Sequence, residues 1–375
     1  MSRTLFLNRR FCPGEAWTNR ILAYAKGLSE LGEEVILFYL ISDSKRTLYN
    51  INIPGIKVVN LWEKDGFFQK KIRALSFLTN LYRFKKYVRK GDKVFMYGGY
   101  DYQLKMSMAL RKRAKVFCEI TEHPKINGTS IFKINLININ RALKKLNGLF
   151  VISNSLKNYY EKIGVSSNKI HISNMFVDTS RFIGLTKTTN QKYIAYCGTV
   201  SYNKDGVNIL IEAFAKFIQK HPEYKLLIIG KAMTPIELDR LKELSKFLGV
   251  EQNVEFTGAI HPDKIPQILF NANILALSRP DNLQAQNGFP TKLGEYLATG
   301  NPVVVTRVGE IPLFIKHGIN GYLSNPDVDS FATQLTWVAD NYKEALSVGQ
   351  KGKELVFNDF SYLSQSRKVL NVINQ

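Results

Sequence analysis

Short, continuous apolar runs rich in β-branched residues recur along this chain, and stretches with helical periodicity separate them. A run such as Leu226-Leu227-Ile228-Ile229 has no polar alternation, so a strand built from it must be covered on both faces. That is the condition of a parallel sheet flanked by helices. The pattern predicts strands at 4–8, 35–40, 56–61, 93–98, 115–121, 148–153 and 169–174, then at 192–198, 224–230, 254–258, 274–278 and 302–306. Between them, Val207, Leu210, Ile211, Phe214 and Ile218 follow the helical repeat, with Asp205 as the expected cap and Pro222 beyond the end. Pro235 opens another helix that Gly249 closes. Strand and helix alternating this way give doubly wound α/β layers. With 375 residues the chain has room for two of them. Residues 175–191, polar and patternless over 186–190, read as the linker. The expected domains are 1–180 and 181–375, with a last helix near 361–374 packing back on the first.

The apolar share of 45% excludes a disordered or fibrous chain. No run approaches the ~18 apolar residues of a membrane span, and the first ten residues lack a secretory signal's apolar stretch. Cys12, Cys118 and Cys197 are far apart, which argues against a disulfide framework or zinc site and for a reducing cytosol.

The net charge of +21 is unevenly spread: residues 1–180 hold 31 basic and 13 acidic side chains. Ten of the cations fall in 64–93. A first half this basic is expected to face something anionic. Read as a helix, this stretch places Ala74, Phe77, Leu78, Leu81 and Val88 toward a core. Phe68, Ile72, Leu75 and Tyr82 form a second stripe among Lys70, Lys71, Arg83 and Lys86. The second stripe fits the headgroup boundary of an anionic bilayer, and it equally fits burial between protein elements. Nucleic acid is the less favoured partner, since no recognition motif accompanies the charge.

The most informative stretch runs from Asn287 through Gly288, Phe289, Pro290, Thr291, Lys292 and Glu295 to Pro302. Pro290 suits the first position of a helix that Gly300 and Pro302 end about three turns later. The amides of Thr291, Lys292 and Leu293 would then be free at the positive end of the helix dipole. A lysine in that turn opposes the dipole unless an anion rests there, and phosphate is the natural one. Glu295, one turn on, is placed to receive sugar hydroxyls, as an acid does in dinucleotide sites. Asn287 offers a hydroxyl-binding amide. A second loop, Gly198 to Gly206, follows the first strand of the second domain and carries Lys204 as a counter-charge for diphosphate. Asp327-Val-Asp329 resembles a metal motif but lies in a polar turn and reads as coincidence.

Taken together, these motifs resemble the retaining glycosyltransferases of family 4. The resemblance is carried by Val151-Ile-Ser-Asn-Ser-Leu156, Asn174 to Asp178 with Phe182, Gly198…Lys204-Asp-Gly-Val207, Val254 to Gly258, Phe289-Pro-Thr-Lys-Leu-Gly-Glu-Tyr-Leu297, Gly300 to Val304 and Gly318…Gly321. It implies the GT-B fold, in which two Rossmann-like domains with parallel sheets face each other across a cleft. It also implies transfer of a sugar from a nucleotide sugar, UDP- or GDP-linked, with retention at the anomeric carbon and no metal or other cofactor.

By position, Glu295 would hold the ribose, and the backbone of Thr291 and Lys292 the diphosphate. Asn287, Gly288 and Phe289 would meet the sugar, Gly258 to Ile260 the base, and Lys204 and Arg279 the phosphates. Gly14 matches the family's loop over the diphosphate. His123 falls near its acceptor-side histidine, with Glu122 and Glu119 as rivals. The chain departs from the family in three places: Asn287 replaces the first acid of a glutamate pair, Thr199 an arginine, and Met175 a glycine. The nearest subset is bacterial polysaccharide enzymes with a Phe-Pro-Ser/Thr-Lys motif, so a saccharide or lipid-linked acceptor on the inner face of the membrane is expected. A nucleotide-sugar epimerase or hydrolase, or a non-catalytic binder of anionic polymers, are the alternatives.

Overall fold

All twelve expected strands form, together with a thirteenth, and they assemble into two sheets. The computed structural model describes residues 2–8, 15–39, 53–61, 73–98, 101–124 and 140–375. The first sheet contains β1 (Arg3–Asn8), β2 (Glu34–Tyr39), β3 (Lys57–Asn60), β4 (Lys93–Tyr97), β5 (Lys115–Ile120), β6 (Gly148–Val151) and β7 (Ile170–Ile172), in the order β3-β2-β1-β4-β5-β6-β7. The second contains β8 (Tyr193–Cys197), β9 (Lys225–Ile229), β10 (Val254–Gly258), β11 (Ile274–Leu277), β12 (Val303–Thr306) and β13 (Tyr322–Ser324), in the order β10-β9-β8-β11-β12-β13. Every pairing in both sheets is parallel. The apolar runs fill the central strands, β4, β6, β11 and β12 among them, with buried side chains. The unexpected strand, β13, is three residues long.

Both sheets reverse their winding between the first strand and the fourth, at β1/β4 and at β8/β11. The loops that leave the carboxyl ends of the two strands at such a point diverge and open a crevice, where ligands of this architecture bind. The chain divides into two compact units, Met1–Phe176 with Tyr362–Gln375, and Val177–Ser361. Val177 bridges Ser361, so the second unit closes on its own two ends. The helix Tyr362–Asn374 packs on Ala16–Glu30 in the first unit. Within that unit Tyr24, Phe6, Phe95 and Phe150 form a run of ring contacts, with Phe176 only 3.9 Å from Tyr24 between centroids.

The helix Arg73–Tyr87 corrects the expected core face. Asn80, Phe84 and Val88 are buried, whereas Leu78 is 60% exposed and Tyr82 61%. The expected stripe left out Phe84; its burial rotates the helix and carries Leu78 to the surface, on the same side as Tyr82 four residues later. Among the described residues no helix is long and apolar enough to cross a membrane.

Candidate functional site

In the second unit, three loops meet at the reversal between β8 and β11. The first leaves β8 at Gly198 and ends in the short helix Tyr202–Asp205, capped by the Ser201 hydroxyl on the Lys204 amide. Gly206 then takes φ +63°, where a Cβ would collide with the Ser278 carbonyl. That conformation suits glycine, and the Ser278 hydroxyl donates to the Gly206 carbonyl at 2.8 Å. The second loop leaves β11 with Ser278 and Arg279, whose carbonyl accepts from the Thr306 hydroxyl at 2.7 Å. The third enters the helix Lys292–Ala298.

Asp205 is the centre of this meeting, and it was expected only as a helix cap. The helix Val207–Phe217 starts from Gly206 with no side-chain cap, and the Asp205 side chain turns inward instead. Its carboxylate is 2% exposed and accepts from the Tyr196 hydroxyl at 2.8 Å and from the Lys292 ammonium; the Arg279 Nε stands 3.7 Å away. Burial would raise its pKa, but the charges of Lys292 and then Arg279 outweigh that and hold it below the usual carboxylate range. Burial pulls the Lys292 and Arg279 pKa values down, and Asp205 restores them only in part. Lys292 also feels Lys204 as a like charge. Two cations, Lys292 and Arg279, thus converge on one buried carboxylate, with Lys204 near enough to act on Lys292. The arrangement suits a ligand carrying two or more negative charges.

Gly198 makes this packing possible. A Cβ there would overlap the Lys292 ammonium and stand 2.8 Å from its Cε. The ammonium also lies 4.8 Å from the Tyr196 ring centre.

The helix expected from Pro290 is shorter than its sequence suggested: seven residues, Lys292–Ala298. The Leu293 amide donates to the Pro290 carbonyl and the Gly294 amide to Thr291, three-residue bonds that tighten the entry. The Thr299 and Gly300 amides make the same kind of bond at the exit. Of the three amides expected free, the Leu293 amide is thus engaged, and no side chain caps the entry at Thr291. The Lys292 side chain, expected beside an anion, pairs with Asp205. Phe289, expected against a sugar, is buried and packs edge-on against Phe314. Pro290 is buried with it. Asn287 ends the helix Leu283–Asn287 and donates its amide back to the Leu283 carbonyl at 2.8 Å, with Gly288 following.

Glu295 is about three-quarters buried. One oxygen accepts from Arg181 at 2.9 Å, and Arg181 also donates to the Pro262 carbonyl at 2.7 Å. Arg181 thus ties Glu295 to the loop that follows Gly258 and Ile260. Gly258, at φ +67°, ends β10 and accepts from the Gly230 amide at 2.9 Å. Arg181 and Asp205 are the residues that sequence reasoning missed. Their partners lie 114 and 87 positions away, so no local spacing could pair them.

In the first unit, Glu119, a rival of His123 for the acceptor side, lies inside the fold. It is fully buried, bound by Arg20 through two nitrogens at 2.7 and 3.0 Å and by the Tyr24 hydroxyl at 2.7 Å. Arg20 further donates to the Ser173 and Asn174 carbonyls, so the pair is a fastener of the fold. His123 is buried on the loop after β5, edge-on to the Tyr159 ring at 4.6 Å, and Glu122 beside it is half-buried. Gly14, Lys70 and Lys71 lie outside the described residues. Arg83 donates to the Leu61 carbonyl at 2.9 Å, and the Lys86 ammonium sits 4.5 Å over the Tyr82 ring. Asp327 caps the helix Val328–Asp340 through the Ser330 amide, and Asp329 pairs with Lys216. Among the described residues no three His, Cys, Asp or Glu cluster as metal ligands would.

Residues 191–341, which contain all three of these loops, match the family model of group 1 glycosyl transferases. Residues 191–341 are a group 1 glycosyl transferase domain. Related sequences are an uncharacterized glycosyltransferase of Methanocaldococcus jannaschii, 28% identical over 49% of this chain and 45% of that protein, and the N-acetyl-alpha-D-glucosaminyl L-malate synthase of Bacillus anthracis, 30% identical over 41% and 38%. The chain spans less than half the length of these curated relatives. Among solved structures, Anabaena HepE in complex with UDP and glucose aligns over the full length of both chains with a TM-score of 0.77 at 16% identity. The structure of TarM aligns over 100% of this chain and 99% of that one, at 0.79 and 14%. The transferase domain and the sheet preceding it together have the GT-B fold.

Proposed function

We propose that this chain is a retaining, metal-independent glycosyltransferase. It moves a hexosyl group from a nucleotide-diphosphate sugar, UDP- or GDP-linked, to a saccharide or lipid-linked acceptor in cell-surface polysaccharide synthesis. The observation that carries this reading is the convergence of Lys292 and Arg279 on the buried carboxylate of Asp205, with Lys204 acting on Lys292, at the reversal point of the second sheet. A diphosphate is the anion whose charge such a site matches, and the relative of known structure that binds UDP and glucose has the same fold. Glu295, braced by Arg181, takes the ribose hydroxyls, and the loop of Gly258 and Ile260 takes the base. Asn287 and Gly288 meet the sugar, with the Phe289 backbone beside them.

In this reading the C1–O bond breaks with its electron pair going to the diphosphate, which the cations and the amides of Thr291 and Lys292 stabilise as its charge grows. The acceptor oxygen bonds to C1 on the face the leaving group vacates, and its proton passes to the departing phosphate oxygen. His123 and Glu122 orient the acceptor. The cations fill the role a divalent ion plays at other diphosphate sites. The exposed side of the helix Arg73–Tyr87 meets an anionic membrane from the cytoplasmic side.

Thermal melts with UDP-, GDP- and ADP-sugars, followed by product analysis, test the proposal. One donor should stabilise the protein, by about 2.7 kcal/mol at a hundred times its dissociation constant. Product analysis should then find nucleoside diphosphate and an α- or β-linked product of the donor's own anomeric configuration. Free sugar or an epimer would identify a hydrolase or epimerase. Oligonucleotide binding without any nucleotide-sugar binding would identify a polymer-binding protein.

A further inference from the structure

Asp205 sits where an anion site should be least tolerant of another negative charge, and it is among the most buried acids of the unit. Its surroundings define what it does. Oδ2 accepts from both Tyr196 and the Lys292 ammonium, and Oδ1 faces Arg279, whose Nε is buried and has no hydrogen-bond partner among the described residues. The geometry points to Asp205 as a positioning residue for the donor diphosphate: it anchors Lys292 in the space left by Gly198 and keeps Arg279 beside it, so that both cations are in place before the phosphates arrive. This inference rests on the diphosphate reading given above and assigns the site a residue that acts through the cations Lys292 and Arg279.

The alternative to such an anchor is costly. An ammonium on a flexible four-carbon stem loses its charge when buried without a partner. Lys292 is faced by Asp205 and Lys204 from the loop after β8, by Tyr196 and Cys197 from β8, and by Arg279 from the loop after β11; Glu295 and Tyr296 of its own helix face Cys197. Arg181 stands beyond Glu295. Within this set Asp205 is the acid that touches Lys292, and burial lowers the Lys292 pKa while Asp205 raises it. Removing the carboxylate leaves burial, Lys204 and Arg279 acting in one direction. The ammonium should then release its proton at lower pH, and affinity for a diphosphate should fall as pH rises.

The test is UDP binding by calorimetry from about pH 7, above the second phosphate ionisation, to about pH 10. In Asp205→Asn the affinity should fall with a midpoint at least about one pH unit below that of the wild type, for a loss of about tenfold or more at a pH where the wild type still binds. Asp205→Asn with Lys292→Arg should bind without that decline, because a guanidinium stays charged throughout. Measurable binding by Asp205→Asn at the lower end of the range shows that the variant is folded. Coincident midpoints for wild type and Asp205→Asn would overturn the inference, as would the same decline in the arginine double variant. An NMR titration of the labelled Lys292 side chain, made without nucleotide, reads the same two midpoints. It therefore judges Asp205 separately: a wild type that ignores UDP while its Lys292 midpoint still depends on Asp205 refutes the donor assignment and leaves the anchor standing.

Discussion

Gly198 shows how much of this site depends on the absence of a side chain. Its amide donates to the Ile229 carbonyl, which alanine would keep, but a methyl group would occupy the place of the Lys292 ammonium. The obstructed atoms are the tip of a flexible lysine and, at 2.9 Å, the hydroxyl of the buried Tyr196, so Gly198→Ala should cost the ~1–3 kcal/mol typical of overpacking. Lys292 would leave Asp205, and UDP should bind about tenfold more weakly, the equivalent of ~1.4 kcal/mol. Urea unfolding set beside calorimetry separates the two effects; a destabilised variant that still binds UDP as tightly as the wild type would show Gly198 to be structural only. At this scale the sequence disclosed the residues that lie close together in one loop, such as Asn287 to Glu295 and Gly198 to Lys204. It hid those whose meaning depends on distant partners. Tyr196 lies in an apolar strand and gives no sign that its hydroxyl reaches Asp205, and Arg181 gives no sign of Glu295.

Among the elements, strands were easier to read than helices, because a strand buried on both faces needs only an unbroken apolar run. The amphipathic helix Arg73–Tyr87 required a phase as well, and Asn80, buried and polar, misleads any reading by hydrophobicity. The corrected phase sharpens the membrane proposal. Leu78, Tyr82 and Lys86 follow one another at four-residue intervals on an exposed side, two apolar bodies ending in a cation that covers the Tyr82 ring. Such a stripe suits the boundary between acyl chains and anionic headgroups. Replacing all three with serine should abolish sedimentation with phosphatidylserine-containing vesicles, and it should leave the melting temperature within a few degrees because none is in the core. Changing Lys86 alone should remove about 1 kcal/mol and make residual binding less sensitive to salt. Unchanged binding by the triple variant would remove the helix from the membrane proposal.

Across the whole molecule, the alternation of runs announced two stacked α/β layers but not the strand order, which depends on which crossovers fold over which face. It also placed a last helix on the first half of the chain, and the contacts of that helix have a measurable consequence. Tyr362 donates its hydroxyl to Glu30, Lys93 meets Asn374, and Val369 and Ile373 are buried in the cluster around Tyr24 and Phe95. At Gly27 even a Cβ would stand 2.7 Å from the Tyr362 carbonyl, so the two helices touch through their backbones. Ending the chain after Ser361 would therefore leave the second unit with all of its strands and open the core of the first. Each buried apolar side chain is worth ~1.5–3 kcal/mol, and losing three of them approaches the ~5–15 kcal/mol that holds a domain folded. Hydrogen exchange should show protection collapsing in β1, β2 and the helix Ala16–Glu30 while β8, β11 and β12 keep theirs. UDP, held by residues of the second unit alone in this proposal, should still protect the loop amides around Gly198 and Lys292. Loss of protection in both sheets together would mean that the chain's return to its first unit holds the entire molecule, and that the nucleotide site cannot outlast it.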